Sequence, residues 1–204
     1  MRVGAMKGWM TTVVLSATLL LTGCGPEQVN LEGKTMGTSY SIRYVTGDDT
    51  PSAGKIQAEI DKRLELVNDQ MSTYRPGSEL SRFNASRAVD KPFPVSAATA
   101  EVVLEALRIN RVTDGALDVT VGPLVNLWGF GPEGRPDKVP SAAALEQRRA
   151  WTGIDKLSVQ GNALVKRIPE LYVDLSSIAK GYGVDVIAQY LQSQQVKNYM
   201  VDIG

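Results

Sequence analysis

The stretch VDLSSIAKGYGVD, residues 173–185, sets two Asp, two Ser, one Lys and two Gly within thirteen residues. Ile178, Tyr182, Val186 and Tyr190 recur every four residues, with Ala179, Ile187 and Leu191 beside them. That spacing predicts a helix from about Ser176 to Gln192 with one apolar face. Asp174 and the Ser pair then fall at its N-terminal end, where side-chain oxygens cap free N–H groups. Two features depart from a plain capped helix. Gly181 and Gly183 lie inside it, each costing about 1 kcal/mol relative to Ala. Lys180 sits in the first turns, where the helix dipole disfavours a cation. An anionic ligand removes both objections. Phosphate favours a helix N-terminus, a Lys beside it is then attracted, and glycines let a bulky ligand or a neighbouring backbone approach. Asp174 and Ser177 would be placed to hold a metal or a ribose. The alternative is that Asp174 and the serines only cap, the glycines allow close helix–sheet packing, and Lys180 is solvated.

An amphipathic helix needs a sheet to lie on. Upstream, Leu171–Val173 reads as a short buried strand, and downstream Val196–Ile203 as a strand apolar enough to be central. Thr38–Val45 (TSYSIRYV) alternates, with Tyr40, Ile42 and Tyr44 on one face. A helix from about Ser52 to Met71 carries the stripe Ile56, Ile60, Leu64, Val67 and Met71. Residues 75–78 form a turn leading to a short helix or loop up to Asn84. Ser96 caps a helix to about Val112, with Gly115 just past its end. Leu117–Val121 reads as a short strand, Ser141 caps a helix to about Ala150, and residues 156–168 form a hairpin around Gly161-Asn162. The sum is an α+β fold, a mixed, largely antiparallel sheet flanked by helices. A buried strand at Asp202-Ile203-Gly204 is an unusual place to stop, so the sheet is expected to continue and the fold to be incomplete at the C-terminus.

Composition narrows the chemistry. The chain has 204 residues, no His and one Cys. An imidazole base, a His zinc site and a Ser-His triad are therefore excluded within it. Any metal must be hard and oxygen-ligated, which favours Mg²⁺ or Ca²⁺. Lys+Arg and Asp+Glu both number 22, so no basic excess points to nucleic acid. Arg2 and Lys7 precede an apolar run, Val13–Leu21, of signal-peptide length. It ends in Leu21-Thr22-Gly23-Cys24, which resembles the lipobox of bacterial lipoproteins. That resemblance implies a signal peptide over 1–23, lipidation at Cys24 and a flexible tether over 24–30. The mature protein would then be anchored to a membrane rather than span it.

Three further stretches carry polar or aromatic groups. Gly33-Lys34-Thr35 has the end of a phosphate-binding P-loop, but Gln28 stands where that motif needs its first Gly, so it is set aside. In TDGALDVTVGPLVNLWGFG, residues 113–131, Asp118 falls at the start of the expected strand. Trp128 and Phe130 alternate there with Gly129 and Gly131, a loop that either packs on its own domain or stacks on a planar ring. Tyr74, after a helix, reads more readily as half-buried core than as a ligand contact.

Taken in order, TMGTSYSI (35–42), MSTYRPGSELSRFN (71–84), TDGALDVTVGPLVNLWGFG, VDLSSIAKGYGVD and the final VDIG, together with the lipobox, resemble the bacterial FAD:protein FMN transferases, the ApbE-like lipoproteins. Residues 31–204 would be the N-terminal part of the flavin transferase domain. The resemblance implies an enzyme that transfers FMN from FAD to a Thr or Ser hydroxyl of a target protein as a phosphoester, with Mg²⁺ as cofactor and release of AMP. It implies that Met36 and Tyr74 contact the flavin nucleotide and that Ala116, Leu117 and Asp118 line the same site. Asp174 and Lys180 would bind the FAD, and Ser177 the Mg²⁺. Implied partners are membrane redox subunits of sodium-pumping or related electron-transport complexes. The implied location is a bacterial membrane facing the periplasm, the inner membrane being favoured. Family members extend further, with more metal ligands there, so about half of the site is expected here. A Mg²⁺-dependent FAD pyrophosphatase, a non-catalytic FAD-binding lipoprotein and a purely structural lipoprotein are the competing readings.

Overall fold

The computed structural model describes residues 27–132, 134 and 139–204. Residues 1–23, read as a signal peptide, and Cys24 lie outside the described residues. Two antiparallel three-stranded sheets, β1-β2-β6 and β3-β5-β4, are joined by helices, as expected for an α+β chain. β1 (Gln28–Thr35) and β2 (Thr38–Val45) form a hairpin paired along its whole length, from Gln28 with Val45 to Thr35 with Thr38. β1 begins inside the stretch read as tether, because Val29 and Leu31 alternate onto the side that packs on the sheet's core. Its turn is Met36-Gly37, with φ of +49° and +73°, the pair of positive angles a type I′ turn requires. β6 (Tyr199–Ile203) pairs with the other side of β2. The strand expected at the centre thus lies at one end of this order, and β2, with Tyr40, Ile42 and Tyr44 all buried, takes the middle.

α1 (Ala53–Met71) serves two cores with one stripe. Ile56, Ile60 and Leu64 pack under the first sheet together with Ile187 and Leu191 of α6 (Ala179–Ser193). Val67 and Met71, one and two turns on, pack into a second core with α2 (Glu79–Ala85), α3 (Ala97–Val112) and the small sheet. That sheet comprises β3 (Phe93–Pro94), β4 (Leu157–Val159) and β5 (Ala163–Lys166), its hairpin turning at Gly161. Met36 and Val186 pack against both cores and mark the seam. Ser78, Ser96 and Ser141 cap α2, α3 and α5 (Ala142–Ala150), each accepting from the N–H three residues on.

Two expected strands are not strands. Residues 117–121 form turns, because Asp118 Oδ1 accepts from both the N–H and the hydroxyl of Thr120, at 2.8 and 2.6 Å. A short helix, α4 (Gly122–Leu127), then starts with Pro123 in its first turn. Residues 171–175 belong to no strand, although Leu171, Val173 and Leu175 are buried; side chains replace the ladder. Asn84 clasps Val173, its Oδ1 accepting from the N–H and its Nδ2 donating to the C=O, both at 2.8 Å. The buried Lys166 ammonium donates to Leu171, Ser86 and Asn84 carbonyls at 3.1, 2.9 and 3.3 Å, and lies 4.7 Å from the Phe83 ring centroid. These partners satisfy the backbone groups that a strand would otherwise pair.

Candidate functional site

Along the seam between the two cores runs a cleft of about 1150 Å³. Three elements build it. The β1–β2 turn contributes residues 34–39, the end of α1 contributes Glu65, Val67, Asn68 and Met71, the segment after it contributes residues 72–75, and the entry to α6 contributes Ser176, Ala179 and Lys180. The hairpin is pinned to α1 by Asn68, whose Nδ2 donates to Thr35 Oγ1 at 3.2 Å and to Leu64 O at 3.1 Å. Met36, at the tip, sits in the left-handed region, which costs a non-glycine residue roughly 1–3 kcal/mol and is characteristic of functional sites.

Of the residues implied by resemblance, Met36, Tyr74 and Lys180 line this cleft. Tyr74 is 61% exposed, not the half-buried core residue its position suggested. It lies beyond the end of α1, and its hydroxyl donates to the Phe130 carbonyl at 2.7 Å. Phe130 and Trp128 are themselves exposed, so the aromatic-glycine loop does not bury its rings in its own domain. The loop is shaped by Gly129 at φ +76° and by Gly131, where a Cβ would overlap the Asn126 side chain.

Asp174 lies just before the turn 176–178 that enters α6 and Ser177 lies within it; from this stretch Ser176, not Asp174 or Ser177, is on the wall of the cleft. Asp174 is buried and does not cap the helix. Its Oδ1 accepts from Ser176 N–H at 2.8 Å and Ser176 Oγ at 2.5 Å. α6 accordingly starts at Ala179, three residues later than its apolar spacing predicts, with no side-chain cap. The same arrangement recurs at Asp118 and Thr120, and the two turns touch: Asp174 N–H donates to Val119 O at 2.8 Å. Leu117 is fixed from behind by Asn110, whose Nδ2 donates to its carbonyl at 2.6 Å. The Asp118 turn and the Asp174 turn therefore form one unit, although Ala116, Leu117 and Asp118 are not on the wall of the cleft itself.

The glycines of α6 have separate reasons. A Cβ on Gly183 would stand 3.0 Å from Met36 Cε and 3.3 Å from Ile203 Cδ1, while nothing lies within 4 Å of one on Gly181. Gly183 allows the hairpin tip to pack on the helix, and Gly181 leaves an open surface beside Lys180.

Charge in the cleft is unevenly engaged. Arg75 Nη1 reaches Glu65 and Asp69, both at 2.7 Å, and these two hydrogen bonds raise its pKa further. Among the described residues Lys34 and Lys180 have no such partner, leaving two cations available to an anionic ligand. Lys34 and Thr35 were set aside with the P-loop reading, and Thr73 and Arg75 were not read as site residues, yet all four line the cleft. The left-handed Met-Gly turn before an alternating strand was the available signal for the first two.

A profile of the ApbE family matches residues 36–204. A relative from Vibrio cholerae, named FAD:protein FMN transferase, is 60% identical over 201 residues, covering 98% of this chain and 59% of its own length. The solved structure of the Vibrio cholerae flavin transferase ApbE superposes with a TM-score of 0.86 at 62% identity, over 88% of this chain and 58% of that one. The apo flavinyl transferase ApbE of Pseudomonas stutzeri gives 0.83 at 38% identity, over 87% and 57%. The chain thus spans somewhat under two thirds of the length of these relatives.

Proposed function

The chain belongs to the ApbE family, and from that premise we propose that it carries the FAD-binding part of an enzyme that transfers FMN from FAD to a protein. In this reading a Thr or Ser hydroxyl of a target membrane redox subunit bonds to the FMN phosphorus as the pyrophosphate bridge breaks. AMP leaves, and a phosphoester remains. The observation that carries the reading is the cleft, where Met36, Tyr74 and Lys180, remote in sequence, converge beside an uncapped helix N-terminus.

Each residue has a definable task. Lys180 and the first N–H groups of α6 attract the pyrophosphate. Met36, held rigidly by Gly183 and both cores, and Tyr74 offer apolar surface to the flavin or adenine ring. Asp174 positions the turn that presents Ser176 and Ser177. The exposed Ser177 hydroxyl is a hard oxygen donor suited to Mg²⁺. Among the described residues no three His, Cys, Asp or Glu side chains group to hold a metal, so this part of the chain would supply a partial ligand set. That fits an ion which keeps waters and takes substrate phosphates as ligands. When bound, the ion would neutralise charge at the phosphates.

We also place the protein at the periplasmic face of a bacterial membrane, the inner one being favoured, anchored through Cys24. Among the described residues no helix is long and apolar enough to cross a membrane. Sequence resemblance to a lipobox supports the anchor.

The test is mass spectrometry of a Thr-containing acceptor peptide incubated with the complete protein, FAD and Mg²⁺. A mass gain equal to FMN is expected, lost with EDTA or with Asp174→Ala. Free FMN and AMP beside an unmodified peptide would establish the pyrophosphatase instead. Unchanged FAD would refute both.

A further inference from the structure

Thr73 lies in the segment that leaves α1 and walls the cleft. It is 7% exposed, and its Oγ1 is shielded from solvent with no hydrogen-bond partner among the described residues. The hydroxyls around it are all engaged. Ser72 Oγ accepts from Tyr74 N–H at 3.1 Å, and Ser78 and Ser81 donate to the Ser72 carbonyl at 2.6 and 3.1 Å. A buried hydroxyl left unpaired costs about 1–3 kcal/mol, and valine would fill the same volume without that penalty. Among the described residues two other buried side-chain polar atoms are unpaired, Tyr44 Oη and Arg63 Nε. Neither residue is on the cleft wall, and Thr73 is.

We propose that Thr73 Oγ1 is a ligand-contacting group, donating a hydrogen bond to an oxygen acceptor of the FAD bound in this cleft; the proposal rests on the reading given above. The backbone around Thr73 is held by the Ser78 and Ser81 hydroxyls, so the side chain is the part that adapts. Rotation about χ1 exchanges hydroxyl and methyl between staggered positions and turns the oxygen from behind the wall toward the ligand. The unpaired hydroxyl of the ligand-free protein is thereby satisfied on binding, and its desolvation cost is already present before the ligand arrives.

The two consequences of removing the hydroxyl have opposite signs, and this makes the proposal testable. FAD affinity is measured by fluorescence titration of the complete protein, and ligand-free stability by thermal melting. For Thr73→Val the ligand-free Tm is expected to stay level or rise, while Kd for FAD rises by up to about tenfold, the size of one hydrogen bond. Thr73→Ser, which keeps the hydroxyl, is expected to restore the wild-type Kd. If Thr73→Val fails to fold, Thr73→Ala makes the same comparison of Kd. Equal Kd values for wild type and the hydroxyl-free variant, with wild type binding FAD, overturn this inference alone. A Tm that falls in parallel with affinity also overturns it, assigning Thr73 to structure. Wild-type protein that binds no FAD refutes the proposed function and this inference with it.

Discussion

Replacing each glycine of α6 by alanine separates a packing glycine from an open one. Both substitutions make the same chemical change two residues apart, and each removes the backbone entropy penalty of glycine in a helix, about 0.5–1 kcal/mol. At Gly181 nothing lies within 4 Å of the new Cβ, so the full gain is expected, a rise in Tm of about 2–4 °C for a domain of this size. At Gly183 the Cβ arrives 3.0 Å from Met36 Cε, 3.3 Å from Ile203 Cδ1 and 3.6 Å from Leu64 Cδ2, where carbon pairs prefer about 3.5–4.0 Å. Overpacking of this kind costs about 1–3 kcal/mol. The Met36 methyl is the end of a flexible chain and relieves part of it, but Met36 is fixed at φ +49° in a two-residue turn. The two variants should therefore differ by about 1–3 kcal/mol, Gly183→Ala being the less stable. Urea titration followed by circular dichroism measures both, with equal m-values as the check that only stability changed. Because Met36 lines the cleft, Gly183→Ala should also weaken FAD binding. Equal stabilisation by the two alanines would refute the close packing of the hairpin tip on α6.

Other residues give further tests. Burial, with a smaller contribution from Arg87, pushes the Lys166 ammonium from 10.5 down to about 8, Glu170 opposing. Between about pH 8 and 10.5 the unfolded chain holds a proton that the folded chain has lost, so stability rises with pH in that window and is level below it. Lys166→Met should lower stability overall, since three carbonyls lose their donor, and should abolish that rise; an unchanged slope in urea melts would contradict the assignment. Asn84→Ala opens the clasp on Val173 and should cost about 1–3 kcal/mol by leaving buried backbone groups unpaired; a loss under 0.5 kcal/mol by the same measurement would mean that water replaces it. Lys180→Ala should leave Tm unchanged, because its ammonium has no partner among the described residues. It should weaken FAD binding about tenfold at low salt and less at high salt, as expected for a charge facing a phosphate.

Much of this protein was legible in its pattern of residues. The stripe Ile56 to Met71, the alternation Tyr40, Ile42, Tyr44 and the caps at Ser96 and Ser141 are local signals, and local hydrogen bonds and one-sided burial suffice to realise them. The polar richness of 173–185 was legible too, as was the family-like order of motifs that implied Met36, Tyr74 and Lys180. Periodicity could not show what satisfies a backbone group. Leu171–Val173 and Leu117–Val121 have strand-like composition, yet Asn84, Lys166 and an Asp–Thr turn take the hydrogen bonds that a neighbouring strand would have made. Those partners come from distant or polar side chains, outside any alternation rule. α6 likewise starts late because Asp174 folds back on Ser176 instead of on the helix. The cleft itself is a product of tertiary structure. It exists because α1 is long enough to serve two cores, and the seam between them collects a hairpin tip, a helix start and the segment around Thr73 from three separate parts of the chain.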